Sequence, residues 1–340
     1  MSILLYFSMK AAVYRVKRDP PELEVIELDY PAPGKGEVTV KLEYVGVNPI
    51  DYWISSGRYP IKSPNGIVGS EGYGIVDNVG EGVEGISVGD KVSIYPWIYC
   101  GNCRYCYEGW ENLCVKGGII GGVLDGCYAE YIRIPYKNVV KIEGDARGEY
   151  LAVAGVSALT AYHAVKLAGV SKDDNVLIFG ASGNVGMFLL QYSKLLGAKV
   201  YGVSRWDWIR DYGADHRYTF ENLDNSIAEA DMEFDVIFNP LGGDVFGESL
   251  KYLSRHGRLV TFGGLKSMSS RIDIAPLYRR ELRIIGSTGG TFNEFRKVVE
   301  DLSKEIVKPK IWRIFKLEEA TYALRSLFDP ERNGKILIRI

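Results

Sequence analysis

A glycine-rich loop between an apolar strand and a helix constrains this fold more than any other feature of the sequence. The apolar run 175–179 predicts a buried strand, and residues 180–186 (Gly-Ala-Ser-Gly-Asn-Val-Gly) follow it directly, before helical spacing over residues 184–196. In such a unit the first glycine permits a tight turn, the second lets a phosphate approach the backbone, and the third lets the helix pack closely. The alternative is a glycine-rich turn without a ligand. We predict a dinucleotide site at the helix N-terminus, formed by Gly180, Ser182, Gly183, Asn184, Val185 and Gly186.

The chain after residue 149 alternates strand and helix patterns, whereas residues 10–145 contain mostly short strand patterns. Further strands are predicted at 199–203, 234–238, 257–262 and 282–285. Repeated strand–helix units imply a doubly wound parallel sheet. Since 340 residues exceed one ordinary core, we predict an α/β protein with a mostly-β domain and a Rossmann domain.

The residues after the second strand of this Rossmann unit bear on the coenzyme. A carboxylate here accepts hydrogen bonds from the ribose of NAD, but this chain has Ser204 and Arg205. A hydroxyl and a guanidinium suit a 2′-phosphate, so NADPH is favoured. The alternative is that Arg205 is a solvated surface charge and Asp207 binds the ribose.

Four cysteines lie within fifteen positions of one another, at Cys100, Cys103, Cys106 and Cys114. Four thiolates suit one tetrahedral Zn²⁺ and leave no position for water or substrate, so the predicted site is structural. An iron–sulfur cluster is an alternative from the spacing alone. Two disulfides are another, although C-x-x-C pairs close strained loops. Cys127 has no such neighbours and is predicted to be packed in the core.

Net charge and the length of apolar runs limit which partners and which cellular compartment are expected. The net charge of −2 gives no electrostatic reason to expect nucleic acid or a membrane surface. No apolar run approaches the length of a membrane span, and the apolar start lacks the basic region of a signal peptide. Residues 1–8 are interpreted as a short extension, with a strand as one option. We therefore expect a cytoplasmic protein with a small-molecule substrate.

Together these features resemble the medium-chain dehydrogenase/reductase superfamily, which includes zinc alcohol dehydrogenases and quinone oxidoreductases. The resemblance covers nearly the whole chain, from Gly69-Ser-Glu-Gly72 through the cysteine lobe and the glycine loop to Gly286-Ser-Thr-Gly289. It implies a GroES-like catalytic domain over 1–148 with a structural zinc lobe at 97–117, a Rossmann domain over 149–288, and a return segment over 289–340. It also implies a homodimer or homotetramer.

The sequence departs from the family pattern at the positions that bind the catalytic metal. The zinc alcohol dehydrogenases bind catalytic zinc through a cysteine in Gly-x-Cys-x-x-Asp, a histidine in Gly-His-Glu and a later cysteine or aspartate. Here the first stretch carries Asn48, the second carries Ser70, and the third position falls near Val156. Glu71 remains, and none of the three histidines lies at a ligand position; His163 is predicted to be packed in a helix. We therefore predict one structural zinc per chain and no catalytic zinc.

By this resemblance, the residues lining the nicotinamide cleft are Asn48, Asp51 and Tyr59. Asn48 would donate a hydrogen bond to the developing oxyanion, and Tyr59 would donate the proton. Asp51 would anchor the loop or the cofactor, with a turn cap as an equal alternative. Trp53 is either a pocket wall or, with a slight preference, part of the core.

Three functions follow from these residues. The first is NADPH-dependent reduction of a quinone or an activated alkene, since a conjugated substrate brings its own electrophilic activation and zinc is not needed. The second is an alcohol or ketone dehydrogenase with another activation scheme. The third, of a different class, is a nucleotide-binding protein without catalytic activity.

Overall fold

The computed structural model describes residues 8–340. The predicted extension therefore lies outside the described residues except for Ser8, which begins the first strand. Within residues 8–340, no helix combines the length and the apolar character that crossing a membrane requires.

Short strands predominate up to residue 147, and strands and helices alternate after it. The strands are β1 (Ser8–Val13), β2 (Glu24–Asp29), β3 (Glu37–Gly46), β4 (Gly72–Val79), β5 (Lys91–Ile94), β6 (Trp97–Ile98), β7 (Gly118–Ile119), β8 (Tyr131–Pro135), β9 (Val139–Lys141), β10 (Asn175–Phe179), β11 (Lys199–Val203), β12 (His216–Tyr218), β13 (Phe234–Phe238), β14 (Leu253–Thr261), β15 (Arg283–Gly286), β16 (Ile311–Lys316) and β17 (Lys335–Arg339).

The α-helices are α1 (Pro49–Ser56), α2 (Arg104–Tyr107), α3 (Gly148–Leu151), α4 (Leu159–Ala168), α5 (Gly186–Leu195), α6 (Leu223–Glu229), α7 (Gly243–Glu248), α8 (Ile274–Arg279), α9 (Phe292–Ser303) and α10 (Ala320–Arg325). A π-helix spans Ala154–Ala158. Short 3₁₀ helices span Glu111–Leu113, Tyr136–Asn138, Asp207–Tyr212, Ser249–Tyr252, Leu317–Glu319 and Ser326–Phe328.

Two compact units share the chain. One comprises the described residues up to Ser157 together with Gly290–Ile340, and the other is Ala158–Gly289. The domain boundaries expected from the sequence, at 148/149 and 288/289, stay predictions. Residues 148–168 contain α3, the π-helix and α4 in turn, and Gly169 ends α4 in the left-handed conformation.

The unit Ala158–Gly289 contains the predicted doubly wound sheet. Its six strands are all parallel, in the order β12-β11-β10-β13-β14-β15. This order places the start of the unit at the centre of the sheet and reverses direction between β10 and β13, where dinucleotides bind in such sheets. Residues 176–179 of β10 are almost fully buried, as expected for a strand covered on both faces.

The other unit is built around a seven-stranded sheet with the order β16-β17-β3-β4-β5-β9, with β8 also paired to β3. The last strand, β17, runs antiparallel to the end of β3, with Leu337 opposite Gly46. This pairing continues past β3, where the Val47 N–H donates to the Ile336 carbonyl at 3.1 Å. The C-terminal strand thereby brings Lys335 next to Val47 and the start of α1.

Three side chains whose burial was predicted from the sequence lie in or against the cores of these units. Cys127 is fully buried in the core around β3, as predicted. Trp53 is partly buried and packs against the same core, and whether it also forms a pocket wall stays a prediction. His163 is 2 % exposed on α4, in agreement with a packed histidine.

Candidate functional site

The glycine loop connects β10 to α5 in the conformation that its glycines permit. Gly180 has a φ of +65°, in the left-handed region that favours glycine. A Cβ at Gly186 would collide with the Gly180 carbonyl and with Ala181, so the start of α5 approaches the strand end as only glycine allows. The Gly183 N–H donates to the Gly180 carbonyl at 2.8 Å and closes the turn. The loop therefore has the backbone shape of a phosphate site at a helix N-terminus.

The carboxyl end of β11 carries more positive charge than the sequence motif indicated. Arg205 is exposed, and Ser204 is nearly buried, with its hydroxyl accepting from the Trp206 N–H at 3.0 Å. The Asp207 carboxylate, proposed above as an alternative ribose ligand, accepts from Arg210 at 3.2 Å and Arg217 at 3.1 Å. Two guanidinium groups thus pair with the Asp207 carboxylate.

Four thiols, which we name the thiolate cluster (Cys100, Cys103, Cys106 and Cys114), converge in the lobe between β6 and β7. Their sulfur atoms all lie within 4.8 Å of one another. The sulfur separations include 3.6 Å for Cys103–Cys106 and 4.0 Å for Cys103–Cys114. A tetrahedron of sulfurs about 2.3 Å from Zn²⁺ has edges of roughly 3.8 Å, so the cluster fits one zinc ion.

Backbone N–H groups of the lobe donate hydrogen bonds to its sulfur atoms. Cys103 lies at the N-terminus of α2, and the Cys100 N–H donates to the Cys114 sulfur at 3.2 Å. A hydrogen bond from the Cys106 backbone lowers the pKa of the Cys103 thiol to about 6. Among residues 8–340, this is the one group of three or more Cys, His, Asp or Glu whose ligand atoms converge.

A second polar group, which we name the lysine cluster (Asn48, Glu71, Ser157 and Lys335), lies in the core at the end of β3. The Lys335 ammonium and the Glu71 carboxylate form an ion pair of 2.7 Å, and both side chains are 0 % exposed. Lys335 Nζ also lies within 2.8 Å of Asn48 Oδ1 and 2.9 Å of both Ser157 Oγ and the Val47 carbonyl. Four oxygens therefore surround one ammonium.

Both carboxylate oxygens of Glu71 accept hydrogen bonds. Oε1 accepts from Lys335 and from Asn48 Nδ2 at 2.8 Å, while Oε2 accepts from the backbone N–H groups of Val156 at 2.6 Å and Ser157 at 3.1 Å. These two successive N–H groups belong to the π-helix Ala154–Ala158, a local widening that frees backbone donors and often occurs at functional sites. The buried charge pair is thus hydrogen-bonded throughout, as burial of ions requires.

Asp51 adjoins this cluster and stabilises the start of α1. Its Oδ2 accepts from the Asn48 backbone N–H at 2.9 Å and from the Tyr128 hydroxyl at 3.2 Å. Burial raises the pKa of Asp51 to about 7, against the lowering effects of its hydrogen bonds and of Lys335. Burial also lowers the pKa of Lys335, which Glu71 partly offsets. The observed contacts of Asp51 are those of a helix cap, one of its two predicted roles.

The structure brings two of the three predicted catalytic residues together. Asn48 is 1 % exposed and Asp51 is 0 % exposed, side by side at the end of β3. Tyr59 lies beyond α1 and is 41 % exposed, in contrast to these two buried residues. Its role as a proton donor stays a prediction.

Sequence reasoning missed Lys335 and Ser157. Lys335 was assigned no role from the sequence, and the third family position was placed near Val156, whose side chain is not part of the cluster. The available signal was weak: a lysine at the start of an otherwise apolar strand, directly after Gly334.

Comparisons with known proteins agree with this architecture. The family described as alcohol dehydrogenase GroES-like domain matches residues 34–144, and the one described as zinc-binding dehydrogenase matches residues 184–304. An alcohol dehydrogenase of Geobacillus stearothermophilus is 32% identical over 98% of this chain and 99% of its own length. An acryloyl-coenzyme A reductase of Sulfurisphaera tokodaii is 29% identical, covering 97% of this chain and 100% of its own.

A solved structure extends the likeness to three dimensions. The cobalt- and zinc-bound thermostable alcohol dehydrogenase from Pyrobaculum aerophilum superimposes with a TM-score of 0.90 at 36% identity, over 98% of this chain and 100% of that one.

Proposed function

We propose that this chain, which belongs to the medium-chain dehydrogenase/reductase superfamily and is therefore an NAD(P)-dependent oxidoreductase, reduces a conjugated alkene or a quinone without a catalytic zinc ion. The observation that carries the proposal is that an amide and a hydroxyl, Asn48 Nδ2 and Ser70 Oγ, lie 3.5 Å apart at positions that the family resemblance assigns to metal ligands. The substrate is a small molecule, and the thiolate cluster supplies the ligands for one structural zinc.

The catalytic zinc of the family does not fit the residues present. The positions that the resemblance assigns to its ligands carry an amide at Asn48 and a hydroxyl at Ser70, where thiolate and imidazole are the usual zinc ligands. Glu71, the remaining carboxylate, is already paired with Lys335. We therefore derive no catalytic step through a metal.

A conjugated substrate suits such a site. NADPH held at the glycine loop would supply a hydride for an electron-poor carbon of the substrate, and negative charge would then develop on the conjugated oxygen. Asn48 Nδ2 lies 3.5 Å from Ser70 Oγ, which is longer than its 2.8 Å hydrogen bond to Glu71. We assign the N–H on the Ser70 side to the reacting oxygen. Tyr59 is proposed to deliver the proton that completes the reduction.

The named activity of the Sulfurisphaera tokodaii relative supports this substrate class. Acryloyl-coenzyme A, the substrate in that name, is an alkene conjugated to a thioester carbonyl. The alternative, an alcohol or ketone dehydrogenase, is favoured by the names of the Geobacillus and Pyrobaculum relatives. A simple ketone lacks conjugation, so the two candidates separate on substrate choice.

We propose NADPH as the preferred coenzyme. Ser204 and Arg205 follow β11, and the Asp207 carboxylate that would repel a 2′-phosphate is paired with Arg210 and Arg217. We also propose a homodimer or homotetramer, as the family resemblance implies. A cytoplasmic location is proposed because a reducing compartment keeps cysteines as thiols. Light scattering of the purified protein would measure its oligomeric state.

The test of this function is NADPH oxidation with three substrates: a quinone, an enone and a simple ketone. We expect turnover with the first two, and turnover that survives a mild chelator sparing the thiolate cluster. Asn48→Ala is expected to lower kcat by about 100-fold, the typical loss of one oxyanion donor. Equal turnover of the ketone would favour the dehydrogenase, and NADPH binding without any turnover would favour a non-catalytic protein.

A reversible loss of turnover on chelation, with the fold intact, would show a catalytic metal and contradict the proposal. Zinc analysis before and after dialysis against the chelator shows whether the thiolate cluster kept its ion. Circular dichroism of each sample reports on the fold.

A further inference from the structure

We propose that Lys17, in the connection between β1 and β2, is a positioning residue: it anchors the loop of residues 57–61 and thereby holds Tyr59 where its hydroxyl can deliver a proton. The inference rests on the proposed role of Tyr59 in the reduction, but its first test measures the loop itself and not turnover. Both segments belong to the same compact unit. Lys17 and Tyr59 are 42 positions apart in the sequence, and the fold brings their segments together.

The first support is the way in which Lys17 spans the loop. Its ammonium donates to the Ile61 carbonyl at 2.6 Å, at the far end of the loop, and lies 3.5 Å from the Tyr59 carbonyl. Its aliphatic stem lies across the near end, because a Cβ at Gly57 would be 3.2 Å from the Lys17 Cβ. One side chain therefore contacts the loop on both sides of Tyr59.

The second support comes from the junction of the loop with α1. Gly57 caps the end of α1 in the left-handed conformation, with a φ of +85°, and its N–H donates to the Ile54 carbonyl at 3.2 Å. The Tyr59 N–H donates to the Trp53 carbonyl at 2.9 Å, which ties the loop back onto the helix. These bonds fix the direction in which the loop leaves α1, and Lys17 fixes the path that it then takes.

The third support is Asp19, which lies two residues after Lys17 and contacts the residue before Tyr59. Its carboxylate accepts from the Tyr52 hydroxyl at 2.5 Å and from Arg58 Nε at 2.9 Å. The Tyr52 hydroxyl and the Arg58 guanidinium hold the pKa of Asp19 below its ordinary value, so the carboxylate is charged at neutral pH. The β1–β2 connection thus offers an ammonium to the loop backbone and a carboxylate to a loop side chain.

The exposure of Tyr59 explains why anchoring of its backbone matters. Tyr59 is 41 % exposed, so packing alone does not hold its ring. Ile61 packs against the core around β3, and the Lys17 bond to its carbonyl connects the loop to that rigid part of the unit. Because a misplacement of about 1 Å can cost roughly 100-fold in rate, a proton donor on a loop depends on such contacts.

Hydrogen exchange tests the anchoring without any substrate. Lys17→Met keeps most of the apolar stem and removes the ammonium, whereas Lys17→Arg keeps a charged donor. Lys35→Met is the matched control, because Lys35 forms an exposed ion pair of 3.7 Å with Glu81 elsewhere in the same unit. Exchange of the Tyr59 backbone amide should rise roughly 10-fold or more in Lys17→Met and stay near the parent rate in the other two variants. Unchanged exchange in a folded Lys17→Met variant would overturn the proposal.

A double-mutant cycle tests the link from Lys17 to Tyr59. For any substrate that the parent reduces, Lys17→Met should lower kcat about 10- to 100-fold while the KM for NADPH stays within about twofold. Lys17→Arg should restore most of the lost kcat. In a Tyr59→Phe background, Lys17→Met should have no further effect, since the group that it positions is then absent. Additive losses in the double variant would overturn the positioning role.

The two measurements separate failure of this inference from failure of the proposed function. Raised exchange in Lys17→Met with an unchanged kcat would overturn the positioning of Tyr59, while turnover of the quinone or the enone would still support the reductase. A Tyr59→Phe variant with the kcat of the parent would contradict Tyr59 as the proton donor, and with it the catalytic half of this inference. If neither substrate is reduced, the proposed function fails, and hydrogen exchange alone decides whether Lys17 anchors the loop.

Discussion

The thiolate cluster and the lysine cluster differ in the source of their positive charge. The first gathers four sulfur ligands within 4.8 Å and obtains its positive charge from a metal ion in solution. The second contains its positive charge as a side chain, Lys335, paired with Glu71. One group of residues therefore depends on metal supply, and the other depends only on correct folding of the chain.

The difference indicates what each group responds to. A metal site is sensitive to chelators and to thiol protonation, because its ligands must lose protons to bind. A buried ion pair is insensitive to chelators but sensitive to loss of one partner, which leaves an uncompensated charge.

The largest expected effect comes from breaking the lysine cluster. Lys335→Met alone leaves Glu71 buried without its cation and should lower the free energy of unfolding by about 3–5 kcal/mol. Adding Glu71→Gln removes the second charge and should restore most of that loss. Urea unfolding of both variants measures the difference, and an equal loss in both would contradict the interpretation as a charge pair.

Breaking the thiolate cluster should have a smaller effect on stability. Cys103→Ser removes one ligand, so zinc should fall well below one per chain and the thermal midpoint by about 5–10 °C, or ~2–3 kcal/mol. Cys127→Ala is the matched control, since Cys127 lies in the core outside the cluster and its loss should leave the zinc count unchanged. Retention of a full zinc equivalent in Cys103→Ser would contradict the assignment.

A third prediction concerns Arg205, whose positive charge is proposed to bind the 2′-phosphate of the coenzyme. Arg205→Ala should weaken NADPH binding by roughly 1.5–3 kcal/mol, the range for hydrogen bonds to charged groups, and leave NADH nearly unchanged. Unlike Lys335, Arg205 is exposed, so the variant should fold as stably as the parent. Dissociation constants for both coenzymes test this, and equal weakening of both would refute the 2′-phosphate assignment.

The smallest effect concerns pH. The pKa of Asp51 is about 7 in the folded protein, against 3.8 for its ordinary value. Between these values the folded state retains a proton that the unfolded state has lost, so raising the pH favours unfolding until about pH 7 and has no further effect above it. From pH 6 to 7, Asp51→Asn should remove a decline of at most about 1 kcal/mol. The same slope in parent and variant would contradict the raised pKa.

Local sequence patterns were sufficient for much of the fold and for two sites. The glycine loop predicted the connection from β10 to α5, and the spacing of the cysteines predicted the thiolate cluster. Both signals are short, because each site is made by one contiguous segment. The core location of Cys127 also followed from its isolation from the other four cysteines.

The lysine cluster could not be predicted in this way. Lys335 and Glu71 are separated by 264 positions, and they meet because β17 pairs with the end of β3. The contribution of Ser157 depends on a π-helix that the apolar spacing of residues 150–168 does not reveal. Helical periodicity reports which face is buried, but it does not distinguish an α-helical turn from a widened one.

The sequence by itself determined the glycine loop between β10 and α5 and the grouping of the four cysteines. It also predicts an amide and a hydroxyl, Asn48 and Ser70, at positions that the family resemblance assigns to metal ligands. Only the tertiary structure shows that the cation beside Glu71 is the Lys335 ammonium. The physical reason is that a lysine is buried only where distant segments supply enough oxygen acceptors to offset its desolvation. Those acceptors come from the end of β3, the start of β4 and the π-helix, and they surround Lys335 only after the sheet has closed.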